Sequence, residues 1–269
     1  MSELRTLNSA GGIVGILGGM GPLATVDFVT KLLAATPAAN DQEHVPVIVC
    51  AIPQVPDRTR AFRGEGESPV AAMIDSARRL EAAGAGIIVI ACNTAHLWFD
   101  EVCAAVDLPM IHLVDAAIDD AAAIVGPRGR VGLLGTDATL ASGLYINRAG
   151  PRTGAFQWLL PTAREMNELV MPGIEAVKAG DCDTGRIHLA AAAEALKSRG
   201  AMAVILGCTE IPVVLDGTKA SLPVVDATAA LARRAVAWSR AQRDASRQDN
   251  MPVGCHLELP RSSTTSPAV

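Results

Sequence analysis

The strongest constraint on the fold is a repeated pattern in which a short apolar strand ends at a cysteine. The segment G-I-I-V-I-A-C-N-T-A-H runs from Gly86 to His96, and G-A-M-A-V-I-L-G-C-T-E-I-P runs from Gly200 to Pro212. Their cysteines, Cys92 and Cys208, are 208 − 92 = 116 positions apart. Each strand is an apolar run of the kind that is buried on both faces of a parallel sheet.

Two further pairs of segments match at similar offsets. The segment I-V-G-I-L-G-G-M-G-P-L-A from Ile13 resembles R-V-G-L-L-G-T-D-A-T-L-A from Arg130, and L-P-M-I-H-L-V-D from Leu108 resembles L-P-V-V-D from Leu222. Matches in the same order indicate an ancient duplication. The predicted fold is two pseudo-symmetric, Rossmann-like α/β domains, each a mostly parallel sheet flanked by helices, with the active site in the cleft between them. A length of 269 residues fits two domains.

Charge and composition exclude several classes of partner. The net charge of −5 leaves no basic face for nucleic acid, and no apolar run approaches the length of a membrane span. Residues 1–12 lack the basic, apolar and small-residue order of a signal peptide. The six cysteines form no C-x-x-C pairs. We therefore expect reduced thiols in a cytoplasmic protein that binds neither nucleic acid nor membranes.

Both cysteines are predicted at the carboxyl end of a strand and the amino end of a helix. Open α/β sheets bind ligands at this edge, and the unsatisfied N–H groups of a helix N terminus favour a thiolate. Asn93, Thr94 and Thr209 follow the cysteines and offer oxygens that would cap those helices. The alternative is a pair of buried structural cysteines, since free cysteine is among the most buried residue types.

The glycine-rich segment Gly18–Pro22 follows the first predicted strand. Glycines here let backbone N–H groups approach an anion, and Pro22 suits the first turn of a helix. The glycine spacing is not G-x-G-x-x-G, and no acidic residue ends a second strand about 20 residues later. A tight turn, or contact with a small carboxylate, is therefore favoured over dinucleotide binding.

Other candidate polar groups fall near the same sheet edge. Arg58 lies in a proline-rich loop after the predicted strand 45–53, and arginine is suited to binding a carboxylate with two hydrogen bonds, although most arginines are solvated. Thr136 and Thr139 replace the glycine cluster in the second repeat, where they could contact a substrate or cap the next helix. His112 falls within the predicted strand 110–114, so a core or interface role is its default.

Two thiols on opposite sides of one ligand suit inversion at a tetrahedral carbon. One thiolate removes a proton from one face, and the other thiol delivers a proton to the opposite face. No lysine has a convincing Schiff-base context, and the sequence gives no metal-ligand set. We therefore expect no cofactor and no metal, with the carbanion stabilised by backbone N–H groups, helix dipoles and a desolvated cleft.

At these residues the chain resembles the cofactor-independent aspartate/glutamate racemase superfamily, and in particular its aspartate racemase branch. The motifs that carry the resemblance are G-I-L-G-G-M-G-P from Gly15, P-D-R-T from Pro56, C-N-T-A-H from Cys92, L-L-G-T-D-A-T from Leu133 and G-C-T-E-I-P from Gly207. Glutamate racemases differ in the last motif, where histidine usually occupies the place of Glu210.

The resemblance implies Cys92 and Cys208 as the two acid/base residues and Arg58 as a clamp on the substrate's side-chain carboxylate. By a weaker alignment, Lys178 is implied as a second cationic contact. The motifs supply the remaining candidate substrate contacts, which are Met20, Gly21, Asn93, Thr94, Thr136, Thr139, Thr209 and Glu210. The expected activity is racemisation of L- and D-aspartate. Alternatives are a racemase of other or more amino acids (glutamate, homoserine), a maleate-type isomerase, or a non-catalytic ligand-binding protein.

The expected domain organisation follows from the repeat and the resemblance. Residues 11–113 form the first domain, which carries Cys92, and residues 114–223 form the second, which carries Cys208. The resemblance implies that the C-terminal segment 224–243 returns to the first domain. Residues 1–10 and 244–269 are expected to be flexible tails. We also expect a homodimer.

Overall fold

The computed structural model describes residues 11–153, 156–218 and 220–249, with the side chains of 151–153 and 247–249 left undescribed. The first half contains the following elements: β1 (Val14–Gly18), α1 (Pro22–Ala35), a 3-10 turn (Asp41–Glu43), β2 (Val47–Ala51), α2 (Arg58–Phe62), α3 (Val70–Ala82), β3 (Ile87–Ile90), a 3-10 helix (Thr94–Trp98), α4 (Phe99–Cys103) and β4 (Met110–Ile111).

The second half repeats this order of strands. Its elements are α5 (Leu113–Val125), β5 (Arg130–Gly135), α6 (Asp137–Ala141), α7 (Leu144–Thr153), β6 (Gln157–Leu159), α8 (Ala163–Glu165), a π-helix (Met166–Val170), α9 (Met171–Lys178), α10 (Cys182–Ser198), β7 (Ala203–Gly207), α11 (Ile211–Val214), β8 (Val224–Asp226) and α12 (Ala227–Asp249).

The two sheets have the same topology. The first is ordered β2-β1-β3-β4 and the second β6-β5-β7-β8, and all pairings are parallel. Each cysteine-bearing strand, β3 or β7, thus lies beside the first strand of its repeat. Because parallel strands buried on both faces need helices on each side, the apolar runs of β1, β3, β5 and β7 form the centre of each layer. The predicted fold class and repeat are confirmed.

The largest hydrophobic core is shared between the halves. It joins Val14 and Ile16 of β1 to Val131 and Leu133 of β5 through the buried face of α5. The long helix α12 packs against both α1 and α5. Among the described residues, no helix is long and apolar enough to cross a membrane.

The C-terminal segment divides between the two halves. Its strand Val224–Asp226 pairs with β7, so residues 224–226 belong to the second sheet and not to the returning segment. The helix then reaches the first half, where Lys31 of α1 donates to the hydroxyl of Thr228 at 2.9 Å and Ser239 donates to the carbonyl of Gly12 at 2.6 Å. The expected start of the tail at 244 is too early, because α12 continues to Asp249. Residues 1–10 and 250–269 lie outside the described residues.

One predicted strand is shorter than expected for a local reason. The strand expected over 110–114 ends at Ile111, because the His112 side chain accepts a hydrogen bond from the N–H of Val114 and caps α5. His112 is therefore a helix cap and not a strand residue. Further along the chain, a π-helix at Met166–Val170 lies between α8 and α9.

Candidate active site

Cys92 lies just beyond the carboxyl end of β3, where the 3-10 helix begins. Ile87–Ile90 is buried on both faces, and the N–H of Ala91 still donates to the carbonyl of Leu17 in β1 at 3.0 Å. Strand pairing therefore fixes the backbone up to the cysteine. The Cys92 side chain is only 5% exposed.

A buried histidine supports the Cys92 loop from behind. The Nδ1 atom of His96 lies 2.8 Å from the carbonyl oxygen of Cys92, and its Nε2 accepts from the N–H of Leu113 at 3.1 Å. Because Nε2 accepts, Nδ1 carries the proton and donates to Cys92. Burial lowers the pKa of His96 to about 4, so the ring is neutral. Its role is to hold the loop.

Cys208 directly follows β7 and is tied to a buried carboxylate. Its Sγ donates to Oε2 of Glu210 at 3.0 Å, and the hydroxyl of Thr209 donates to the same oxygen at 3.3 Å. The other carboxylate oxygen accepts from the N–H of Gly21, at 3.2 Å. Glu210 is 3% exposed and so connects the first glycine loop to the second cysteine.

The two thiols have different electrostatic surroundings. Burial raises the pKa of both, which is opposite to the direction expected from helix N termini. At Cys92 the next largest influence is the positive charge of Arg58, which lowers the pKa. At Cys208 it is the negative charge of Glu210, which raises the pKa further. Cys208 is therefore the thiol that retains its proton more strongly.

The side chains expected to cap the helices after the cysteines make other bonds. The 3-10 helix after Cys92 and the short α11 after Cys208 have no side-chain cap. Asn93 accepts from the hydroxyl of Tyr145, and Thr209 donates to Glu210. Thr94 bonds to hydroxyls of the second half. The capping prediction for these three residues is wrong, because Asn93 and Thr94 bond to residues of the other half and Thr209 bonds to the neighbouring Glu210.

Three threonine hydroxyls form a closed triangle between the halves. Thr94 lies 3.0 Å from Thr136 and 3.1 Å from Thr139, and the latter two lie 3.0 Å apart. Thr136 also caps α6 by accepting from the N–H of Thr139 at 3.2 Å. The capping role is therefore present at Thr136, while contact of Thr136 and Thr139 with a substrate stays a prediction.

Two cationic side chains approach the thiols. Nη1 of Arg58 donates to the carbonyls of Val55 and Pro56 at 2.9 and 2.8 Å, while its buried Nε has no hydrogen-bond partner in the described part of the chain. Lys178 is the last residue of α9 and is exposed. Partial burial would lower the pKa of Lys178, but the acidic groups around it, chiefly Cys208 and Glu210, raise it. An anion between these side chains would meet two positive charges.

A small cavity joins these groups. Its volume is about 10 Å³, which is about the size of one water molecule. The lining residues come from both halves: Met20, Asp57, Arg58, Thr59, Cys92, Asn93, Thr94, Thr136, Lys178, Cys208, Thr209 and Glu210. The structure thus brings together ten of the twelve predicted site residues. Gly21 reaches the site through Glu210, and Thr139 through the threonine triangle.

A larger cleft of about 380 Å³ adjoins the cavity. The two share Asp57, Arg58, Lys178 and Glu210, which therefore lie at the boundary between the thiols and the cleft. Part of the remaining lining is apolar and includes Leu23. A ligand that approached from this side would meet the charged groups before the thiols.

The first glycine loop packs closely against Ile52, the residue that follows β2. Gly19 has φ +90°, and a Cβ there would lie 2.5 Å from backbone atoms of Ile52, so only glycine fits. Its N–H donates to the hydroxyl of Thr25 at 2.8 Å, while that of Gly21 donates to Glu210. The loop therefore makes the predicted tight turn. The carboxylate that it contacts is the side chain of Glu210.

Three residues of the site were not among the predicted contacts. Asp57 and Thr59 flank Arg58 and line the cavity, which their position in the P-D-R-T motif could have indicated. Asp57 also caps α2 through the N–H of Arg60, at 2.8 Å. Tyr145 bonds to Asn93 from a helix of the other half, and no local motif marks it. Within the described residues, no group of three or more His, Cys, Asp or Glu side chains could hold a metal ion.

Comparison with known proteins gives consistent matches over most of the chain. The sequence profile described as "Asp/Glu/Hydantoin racemase" matches residues 17–235. The solved structure of Picrophilus torridus aspartate racemase superimposes with a TM-score of 0.76 at 32% identity, covering 89% of this chain and 99% of that one. An aspartate racemase homologue from Pyrococcus horikoshii superimposes with a TM-score of 0.67 at 27% identity, covering 85% and 99%.

A curated relative has a different range of substrates in its name. The broad specificity amino-acid racemase of Bacillus subtilis is 29% identical over 233 residues, which are 83% of this chain and 96% of the relative. The fold and the relatives define an isomerase of the amino-acid racemase class. The chain belongs to the Asp/Glu/hydantoin racemase family.

Proposed function

We propose that this chain is a cofactor-independent racemase that interconverts L- and D-aspartate by proton transfer at the α-carbon between Cys92 and Cys208. The observation that carries the proposal is the shared cavity, to which each half contributes one buried thiol. Thiols that come from two related sheets are suited to opposite faces of one carbon. One thiolate accepts the α-proton and the opposite thiol donates a proton, after which their protonation states are exchanged.

The starting protonation state follows from the surroundings of the thiols. Cys208 is held as a thiol by burial and by its bond to Glu210, whereas Arg58 favours the thiolate of Cys92. We therefore assign Cys92 as the first base and Cys208 as the first acid. The enantiomer formed in that direction is converted back after Cys208 has become the thiolate.

Two buried donors without partners are available to bind the substrate's carboxylates. The Nε of Arg58 and the Nδ2 of Asn93 are buried and have no hydrogen-bond partner in the described part of the chain. A substrate carboxylate would satisfy both kinds of donor. A cavity of about 10 Å³ does not hold an amino acid, so Arg58, Lys178 or Glu210 must shift as the substrate enters.

Aspartate is the leading substrate because Arg58 and Lys178 place two positive charges beside the thiols. A racemase with a broader range is the second candidate, favoured by the adjoining cleft. Its volume of about 380 Å³ falls in the roughly 300–1,000 Å³ range of pockets that hold drug-sized ligands, and part of its lining is apolar. The match to the Bacillus subtilis protein also favours this candidate.

The direct test is a chiral assay on the purified full chain. Each L-amino acid of a panel is incubated without added cofactor, and the enantiomer ratio is followed by chiral chromatography. We expect D-aspartate to accumulate fastest, with no effect of EDTA or hydroxylamine and with complete inactivation by iodoacetamide. Faster turnover of apolar or larger amino acids would favour the broader racemase. Turnover of none, or dependence on added pyridoxal phosphate or metal, would refute the proposal.

Assembly and location complete the proposal. We propose a homodimer in the cytoplasm; the free thiols of the described cysteines support a reducing compartment. Sedimentation equilibrium of the full chain tests the first part, since a monomer at micromolar concentration would contradict it. Fractionation of producing cells tests the second.

A further inference from the structure

Asn93 is held in one orientation by a residue from the other half. Its side-chain oxygen accepts from the hydroxyl of Tyr145, and its Nδ2 is buried with no partner in the described part of the chain. Asn93 is 1% exposed and lines the cavity between the thiols. Because an amide presents an acceptor on one side and donors on the other, fixing the oxygen decides what the other side presents.

Tyr145 lies between the segments that carry the two cysteines. Its hydroxyl reaches Asn93, which follows Cys92 in the chain. Its ring packs against the end of β7, where a Cβ at Gly207 would lie 3.3 Å from the ring atom Cε2. Gly207 precedes Cys208, so the absent side chain makes room for the ring. Tyr145 is completely buried, and its ring also meets that of Trp158 edge-on, with centroids 6.5 Å apart.

The hydroxyl of Tyr145 stays a donor at all relevant pH. Burial raises its pKa well above the ordinary value, and the charges of Cys208 and Asp226 act in the same direction. With its oxygen occupied by this donor, the Asn93 amide keeps its NH₂ group available on the other side. A reversed amide would instead present an oxygen, which repels a carboxylate.

We propose that Tyr145 is a positioning residue for racemisation: it fixes the Asn93 amide so that Nδ2 donates to the substrate's carboxylate between Cys92 and Cys208. The proposal rests on the proposed function for the identity of the reaction. It adds a residue from the second half that orders a donor of the first half. One side chain thereby couples the geometry of the two cysteine loops.

The test compares Tyr145→Phe with Trp158→Phe in the full-length protein. The first variant removes only the hydroxyl, whereas the second changes the packing of the same ring and leaves the bond to Asn93. We expect Tyr145→Phe to raise KM for the racemised amino acid about tenfold with kcat nearly unchanged, because a contact made equally in ground and transition states affects KM. Trp158→Phe should leave KM unchanged. Equal KM changes in both variants would show a packing role and overturn the proposal.

A double-mutant cycle gives the second readout. In the background of Asn93→Ala, Tyr145→Phe should have no further effect on KM, since the hydroxyl acts only through the amide. Independent, additive effects would overturn the proposal. If either variant fails to fold, as judged by circular dichroism, Tyr145→Trp and Asn93→Ser take their places in the same cycle.

Binding of succinate separates this inference from the proposed function. Succinate carries the same two carboxylates as aspartate but has no amino group and no stereocentre, so it binds without being racemised, and its affinity is measured by calorimetry. If the wild-type protein racemises no amino acid but Tyr145→Phe weakens succinate binding about tenfold, the function falls and the positioning role stands. If the wild-type protein racemises and Tyr145→Phe binds succinate equally well, the positioning role falls. Absence of succinate binding by the wild-type protein would also overturn it.

Discussion

The two cysteine loops occupy equivalent positions in equivalent sheets, yet their chemical surroundings differ. In the first half, Cys92 is followed by Asn93 and Thr94, which bond to residues of the second half. In the second half, Cys208 donates to Glu210, which lies two residues further on in the same loop. The duplication has therefore kept the strand order and the placement of the thiols, while the following residues set different proton affinities.

The difference extends to what supports each loop. Behind Cys92, the buried His96 binds the backbone carbonyl and the N–H of α5. The equivalent position in the second repeat, 116 residues later, is Pro212 in the first turn of α11. Proline has neither a side-chain nor a backbone N–H donor, so Pro212 cannot hold the loop as His96 does. The second loop is held instead by the hydrogen bond between Glu210 and Gly21. The two halves thus have the same fold, but their cysteine loops are held by different residues.

The largest expected effect is on the racemisation rate and comes from removing either thiol. Cys92→Ser and Cys208→Ser should each lower the racemisation rate by about 10²–10⁴-fold, because a serine hydroxyl is too weak a base at neutral pH to replace a thiolate. The rate is measured by polarimetry or chiral chromatography. Cys103→Ser, at the end of α4, is the matched control and should retain wild-type activity. Racemisation at near the wild-type rate by either active-site variant would contradict the proposal that both thiols are required.

Arg58 is expected to act on the Cys92 side. Arg58→Ala should lower kcat/KM for aspartate by roughly 10²-fold, since a charged hydrogen bond contributes about 2–3 kcal/mol. Arg58→Lys should restore only part of the activity, because an ammonium group cannot form two parallel bonds to a carboxylate. Arg60→Ala, two residues along α2, is the control. Unchanged kinetics for Arg58→Ala would leave Lys178 as the carboxylate contact.

The buried histidine makes the first half sensitive to acid. His96 has a pKa of about 4 in the folded protein, against about 6.5 when unfolded, so the unfolded chain binds the extra proton first. Stability is present above pH 6.5 and is lost as the pH falls towards 4. Between pH 7 and pH 5 the loss should be about 2 kcal/mol. Urea unfolding measures it.

The comparison for this prediction is made between two histidine variants. His96→Gln should show a smaller difference in unfolding free energy between pH 7 and pH 5 than the wild-type protein, although it is less stable at both. His188→Gln, on the partly exposed surface of α10, should lose stability with pH as the wild-type protein does. If His96→Gln keeps the full pH dependence, the acid sensitivity arises elsewhere.

The smallest expected effect concerns the asymmetry itself. The negative charge of Glu210 raises the pKa of both thiols, and more strongly that of Cys208. Glu210→Gln should therefore move both limbs of the kcat/KM profile to lower pH, with the alkaline limb moving further. The peak should change by about tenfold or less, since a net hydrogen bond contributes about 1 kcal/mol. Glu101→Gln, exposed on α4, should leave the profile unchanged. An unshifted alkaline limb in Glu210→Gln would contradict the assignment of Cys208 as first acid.

The features that could be predicted from the sequence are those carried by contiguous patterns. Apolar runs that end in cysteine gave the strands and the position of the thiols, because strand ends and parallel pairing depend on local pattern. The repeat then predicted that the two halves share one architecture. Arg58 could be singled out because a proline-rich loop after a strand places it at the same edge.

What could not be predicted depends on contacts between distant segments. Thr94 and Thr209 have the composition of caps, but their hydroxyls are used across or along the cleft. Tyr145 lies 52 positions from Asn93, and no sequence pattern predicts a hydrogen bond between residues that far apart. The predicted lowering of the thiol pKa values was also wrong. The loss of hydration on burial raises the pKa of both thiols by more than a short helix lowers it.

The most direct test of the two-face account is hydrogen exchange by the single-cysteine variants in deuterated buffer. Cys92→Ser and Cys208→Ser are each incubated with pure L- and pure D-aspartate, and loss of the α-proton signal is followed by NMR. The account predicts that each variant exchanges the α-hydrogen of one enantiomer without inverting it, and that the two variants select opposite enantiomers. Exchange of the same enantiomer by both variants, or net inversion by either at near the wild-type rate, would contradict it.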